Sequence, residues 1–318
     1  MTIVRLVAVV LAVLVMGCAK SPEPLRIGTN PWPGYEFLHL AEALGYFREE
    51  GVAVQLVTVD SLAAGRRAFE KNQVDVFGAT VVELMLAREN SAHRAQAFFV
   101  TNVSNGADVL LVRATIPGLK ELKGRRIGIE PGSLDAVVAF HALRTAGLKF
   151  SDVTLVPVAQ QAMRAALAEG RIDALASYPP VSTEIERSGL AKVVFDSRST
   201  PNAIVDVLVA DATTVATRGK DLAAVARAFD RARNSLATRR EDALKILAGR
   251  GKMTPAEMDQ ALAGLALVPL SDQPAFLAPR GPLEQSLESA ARVMVDTGLL
   301  RQAPVTAQLL SNVVVTAR

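Results

Sequence analysis

Few side chains in this sequence can do covalent chemistry, and those few are not spaced for it. The three histidines, His39, His93 and His141, have no partner at His-x-x-x-His or comparable metal-ligand spacing. There is no Gly-x-Ser-x-Gly elbow, Walker loop or Gly-x-Gly-x-x-Gly turn. The single cysteine, Cys18, follows directly on an apolar N-terminal run. Adjacent carboxylates such as Glu49-Glu50 and Glu241-Asp242 fall on charged helical segments, where solvated faces account for them. This inventory predicts no catalytic residue, no metal site and no cofactor.

Residues suited to gripping a small molecule are better placed. Trp32 and Tyr35, two of only four Trp or Tyr residues, stand in Asn30-Pro31-Trp32-Pro33-Gly34-Tyr35. The prolines and glycine predict an exposed, extended loop, on which an amphipathic ring can stack on a ligand. The alternative is that Trp32 plugs the core beside that loop. Gly132-Ser133, after Pro131, opens a helix whose free N–H groups and dipole suit an anionic group. Ser133 could equally be no more than the cap of that helix. Thr80 ends a buried strand with Glu83 placed to complete a capping box, so a cap and a ligand contact both stay open. Tyr178, before Pro179-Pro180, holds the matching strand end further along, and Asn105 belongs to a polar loop from Asn102 to Gly106 that could equally be solvated. Asp206 interrupts the apolar run Ala203 to Val209, so its carboxylate must face solvent or find a partner. Those eight positions are the expected ligand contacts; Asp108, before another Val-Leu run, is read as a hinge or structural residue.

What positions them is a duplicated architecture. Arg26-Ile27-Gly28 with Pro31 recurs as Arg126-Ile127-Gly128 with Pro131, and Val74-Asp75-Val76 is answered by Ile172-Asp173-Ala174. A period of about 100 residues is too long for a solenoid. The order strand, helix, strand, helix, Asp-marked strand predicts two α/β lobes, with ligand-bearing loops at the carboxyl ends of the strands. From Lys220 onward the pattern is helical, with Thr254-Pro255 as cap and first residue of one helix. Residues 25–112 and 207–318 are assigned to lobe 1, and residues 113–206 to lobe 2.

The N-terminus reads as a leader. Arg5 precedes an apolar stretch from Leu6 to Met16, shorter than the ~20 residues that span a bilayer as a helix. Val15-Met16-Gly17-Cys18 resembles the bacterial lipobox, which implies a signal peptide over 1–17, lipid on Cys18 and a tether over 18–24. The net charge is only +3, and basic and acidic residues are interspersed without interleaved aromatics. A nucleic-acid partner is therefore not expected.

Taken in order, these strings resemble periplasmic solute-binding proteins of the nitrate, sulfonate, taurine and thiamine-precursor type. The resemblance rests on Gly45-Tyr46-Phe47, Gly51-Val52, Leu122-Lys123-Gly124-Arg125-Arg126-Ile127-Gly128, Pro131-Gly132-Ser133, Ala146-Gly147-Leu148 and Ile172-Asp173-Ala174 with Pro179. It covers about residues 25–210. It implies a type II periplasmic binding fold, two mostly parallel sheets flanked by helices, with the C-terminal helices on the first lobe. It also implies a monomer that clamps a small-molecule solute and hands it to an inner-membrane ABC permease from the periplasmic side. The Trp-Pro-Gly-Tyr-Glu string at Trp32 to Glu36 departs from the sulfonate and nitrate pattern, and suits a flat or cationic ligand as well. A sensor subunit using the same clamp is the alternative. A thiamine-pyrimidine-synthase-like enzyme is a remote one, because those enzymes use cysteines that this chain lacks.

Overall fold

The computed structural model describes residues 23–316, so the expected leader and Cys18 lie outside the described residues. The chain forms β1 (Leu25–Thr29), β2 (Val54–Thr58), β3 (Val76–Thr80), β4 (Ala95–Ser104), β5 (Val109–Arg113), β6 (Arg126–Ile129), β7 (Thr154–Pro157), β8 (Ala174–Ser177), β9 (Ala191–Asp196), β10 (Val205–Asp211) and β11 (Leu265–Leu267). They build one sheet in the order β11-β4-β10-β3-β1-β2 and another in the order β7-β6-β8-β5-β9. In the first sheet β1 runs parallel to β2 and β3, while β10 enters antiparallel between β3 and β4. In the second, β6 runs parallel to β7 and β8, while β5 enters antiparallel between β8 and β9. The two sheets follow one plan, as the duplication predicts.

The repeated residues have a physical reason. Arg26 donates from its backbone N–H and Nε to Asp75 Oδ2 (2.9 and 3.0 Å) and from Nη2 to Oδ1 (2.7 Å). Arg126 makes the same three bonds to Asp173, each 3.0 Å long. Such a fork fastens the first strand of each unit to the start of the third. Gly28 and Gly128 leave room beneath: a Cβ would lie 3.1 Å from Val74 and 2.8 Å from Ile172, respectively. The paired motifs are thus structural clasps at the starts of the strands, away from the loops that follow the strand ends.

The crossings differ from the expected boundaries. Val109 to Val112 was assigned to lobe 1, yet β5 is hydrogen-bonded within the second sheet; β10 already belongs to the first sheet from Val205. Both strands are largely apolar and buried, and such a run reads the same whichever sheet receives it. Asn102 to Ser104, expected as loop, continue β4. The C-terminal helices pack on the first lobe as predicted: Phe229, on the helix Gly219–Thr238, meets Phe37 at 5.6 Å and Phe99 at 5.1 Å between ring centroids. Thr254 caps the helix Pro255–Ala263, with proline in the first turn. Among the described residues no helix is long and apolar enough to cross a membrane.

Candidate functional site

The loop after β1 turns tightly, with the Tyr35 N–H donating to the Trp32 carbonyl at 2.9 Å. Position 34 tolerates only glycine, since a Cβ there would fall 1.9 Å from Asn102 Oδ1 and 2.8 Å from Trp32 Nε1. That proximity lets Trp32 Nε1 donate to Asn102 Oδ1, at 3.4 Å. Tyr35 lies across β3 at Gly78, where a Cβ would meet its ring at 2.9 Å. Its hydroxyl donates to Asp206 Oδ1 at 2.7 Å, and Asn102 Nδ2 donates to Asp206 Oδ2 at 2.7 Å. The odd carboxylate of β10 is therefore buried and partnered, one of the two outcomes its burial cost allowed.

The second lobe closes over this network. Tyr178, just beyond β8, sets its ring edge-on to Trp32, 5.7 Å between centroids and 90° between planes. Trp32 is only 3 % exposed and Tyr35 fully buried, so the loop is not the exposed platform its prolines suggested; the opposite lobe covers it. Thr80 forms the expected capping box, its hydroxyl accepting from Val82 N–H at 3.1 Å and its own N–H donating to Glu83 Oε2 at 3.0 Å. Glu83 Oε1 then reaches across to accept the Leu134 N–H at 2.8 Å. Leu134 precedes the helix Asp135–Thr145, so the first lobe's carboxylate takes the amide that was expected to meet an anion. Ser133 does not cap that helix and lies 3.5 Å from Asp135 Oδ1. Gly132 (φ +70°) abuts Arg66 of the first lobe.

Seven of the eight expected positions thus gather where the lobes meet. Asn105 does not: it is exposed, and its N–H donates to the Gly264 carbonyl at 2.8 Å. Asn102 stands in its place. Its place in the polar end of β4, between Thr101 and Ser104, is the signal that could have marked it. Sequence reasoning also missed Glu83's second partner, and missed Glu130, Asp135 and Gln160. Asp135 accepts from Glu130 N–H at 2.8 Å and from Gln160 Nε2, and Ser177 Oγ donates to Gln160 Oε1 at 3.0 Å.

The site is strongly acidic. Glu83, Asp108, Glu130, Asp135 and Asp206 are all buried. Burial raises each of them, most of all Asp206 and Asp135; the neighbouring Asp108 charge adds to the rise at Asp206, and the Glu130 charge to that at Asp135. Burial lifts Asp108 to about 7 and likewise Glu36, at the lobe-one helix start, to about 7 in spite of Arg250 nearby. These carboxyls hold protons more tightly folded than unfolded. Their contribution to stability is complete below the ordinary carboxylate range and is lost as pH rises through about 7. The unliganded protein should therefore melt at least ~3 °C lower at pH 8 than at pH 5. Asp108→Asn should flatten that slope in a calorimetric pH series.

Among the described residues no group of three or more His, Cys, Asp or Glu could hold a metal ion. The double-lobed arrangement defines a periplasmic-binding-protein fold. Its coordinates align with the alkanesulfonate-binding protein SsuA from Xanthomonas axonopodis pv. citri bound to MOPS (TM-score 0.78, 20% identity, 92% of this chain and 99% of that one). They align also with the periplasmic aliphatic sulphonate binding protein SsuA from Escherichia coli (0.74, 20%, 92% of each). The desulfurization enzyme DSZB shares the fold at a TM-score of 0.66 and 19% identity, over 90% of this chain and 96% of that one. In sequence, an Escherichia coli (strain K12) protein named "Putative aliphatic sulfonates-binding protein" is 33% identical over 92 residues. That match spans only 28% of this chain and 29% of the relative's length. The family model described as NMT1/THI5 like matches residues 32–243, and the chain belongs to that family.

Proposed function

We propose that the protein is an extracytoplasmic solute-binding protein, lipid-anchored at Cys18, that closes its two lobes on a small organic molecule and delivers it to an inner-membrane ABC permease. One observation carries this reading: side chains from both sheets converge on one buried region, Trp32 against Tyr178 and Glu83 against the Leu134 amide. A ligand that touches both jaws shifts an open–closed equilibrium and needs no chemical step. The relatives named for sulfonate binding, and the lipobox-like Val15-Met16-Gly17-Cys18, support the periplasmic, membrane-tethered placement. The likeness to DSZB is one of fold. This chain's one cysteine is Cys18, ahead of the folded lobes, which leaves no thiol for catalysis in the cleft.

The test is a thermal-shift screen of the mature chain against small organic anions, cations and zwitterions, followed by titration calorimetry on whatever stabilises it. Trp32→Ala should weaken that ligand more than tenfold while the circular-dichroism spectrum stays native. Undiminished affinity would remove the cleft from the proposal.

A further inference from the structure

We propose that Arg187 and Glu257 form an electrostatic latch on the exposed rim between the lobes, which biases them toward closure at low ionic strength and loosens as salt rises. The inference rests on the two-lobed clamp of the solute-binding reading and adds a control on its closure.

Arg187 ends the second-lobe helix Val181–Arg187, and its Nη1 donates to Glu257 Oε1 of the first lobe at 2.8 Å. Among the described residues this is the one ion pair that joins the lobes; every other pair lies within a lobe or at the end of β9. Glu257 belongs to the capping box of the helix Pro255–Ala263, where its Oε2 accepts from the Thr254 N–H at 2.7 Å and from the Thr254 hydroxyl at 3.0 Å. Glu83 divides its oxygens in the same way, Oε2 to the Thr80 N–H and Oε1 to the Leu134 N–H of the other lobe. Two capping-box glutamates of the first lobe therefore each hold their own helix with one oxygen and offer the other to the second lobe. The Glu83 contact is buried; the Glu257 contact stands in solvent, with 57 % of the Arg187 side chain exposed.

The surroundings place the pair at the seam. A cavity of about 340 Å³ runs from Gly106 and Ala107, on the connection between β4 and β5, to Pro179, next to Tyr178. A second, of about 270 Å³, lies against Gly251, Lys252 and Pro180. Arg187 and Glu257 line both, so the ion pair stands between two spaces that divide the lobes. With space on either side, packing contributes little to this contact and charge contributes most. An exposed pair ordinarily gains little, because it freezes two long side chains and is screened by salt. Here one partner is already fixed, since Thr254 holds the Glu257 carboxylate whether or not Arg187 reaches it. Arg187 sits in the last turn of its helix, where the dipole favours a cation. The latch should therefore reach the upper end of the exposed range, a factor of up to ~5 in the closed-to-open ratio. The buried bond from Glu83 to Leu134, shielded from ions, supplies the part of closure that salt leaves alone.

The experiment reads lobe separation directly, in the mature chain carrying Cys18→Ser so that no native thiol remains. Nitroxide labels are placed at Glu184→Cys and Lys252→Cys, which line the outer cavity from opposite lobes. Pulsed dipolar spectroscopy without solute then compares about 20 mM with about 500 mM sodium chloride. The expected result is an about two- to fivefold fall in the closed-to-open ratio at high salt. Arg187→Ala leaves the Thr254 capping box intact, so it should stay folded and show the lower ratio at both salts. Arg187→Glu should open the lobes further at low salt and partly recover at high salt, and Arg187→Lys should keep part of the wild-type response. A wild-type distribution indifferent to salt, or an Arg187→Ala distribution matching wild type at low salt, would overturn the latch. The labels report without solute, so this result stands whichever way the thermal-shift screen falls.

Discussion

Asp206→Ala is expected to destabilise the protein by about 2–6 kcal/mol, because it strips the acceptor from two buried donors at once. The Tyr35 hydroxyl and Asn102 Nδ2 both end on this carboxylate at 2.7 Å. Neither can turn elsewhere: Tyr35 is pinned flat on Gly78, and Asn102 Oδ1 is already engaged by Trp32 and by Thr101 Oγ1 at 3.1 Å. Asp206→Asn should cost less than alanine yet still be measurable, since an amide offers one oxygen and sets its NH2 against a second donor. Urea unfolding of the three proteins checks the order. Equal stability of wild type and Asp206→Ala would mean that the network contributes nothing.

Glu83 is expected to give the second large effect, and one that separates folding from closure. Its carboxylate caps its own helix through the Thr80 N–H and also fastens the opposite lobe through the Leu134 N–H. Glu83→Ala should lose about 1 kcal/mol for the cap and more for the buried Leu134 amide left without an acceptor. The lobes should then open, with a larger radius of gyration in solution scattering. Glu83→Gln can serve either Leu134 or Thr80 with its single oxygen but not both, so it should give a smaller expansion. Expansion without destabilisation would show that Glu83 works only as a latch.

Most of the fold was legible because the same local physics was written down twice. Arg26 with Asp75, 49 residues apart, and Arg126 with Asp173, 47 apart, recur because each pair closes the same clasp between neighbouring strands. Thr80 with Glu83 was legible as a cap for similar reasons, its partners being three residues apart. What escaped was long-range. That β5 leaves the first sheet depends on backbone pairing with β8 and β9, which an apolar run does not encode. Burial of Trp32 depends on Tyr178, far along the chain, and the prolines around Trp32 pointed the wrong way. Glu83 looked complete with one partner, so its reach to Leu134 left no mark in sequence.

The exchange of β5 and β10 between the sheets ties the stability of the two units together. Each repeat unit contributes its first four strands to its own sheet and sends its fifth into the sheet of the other unit. One unit alone would lack a strand between its third and fourth and would expose two long unsatisfied edges. Each sheet is therefore completed only by a strand from the other unit, so neither unit's sheet can close its edges by itself. Unfolding of either unit strips a central strand from its neighbour, which predicts one cooperative transition for the whole molecule.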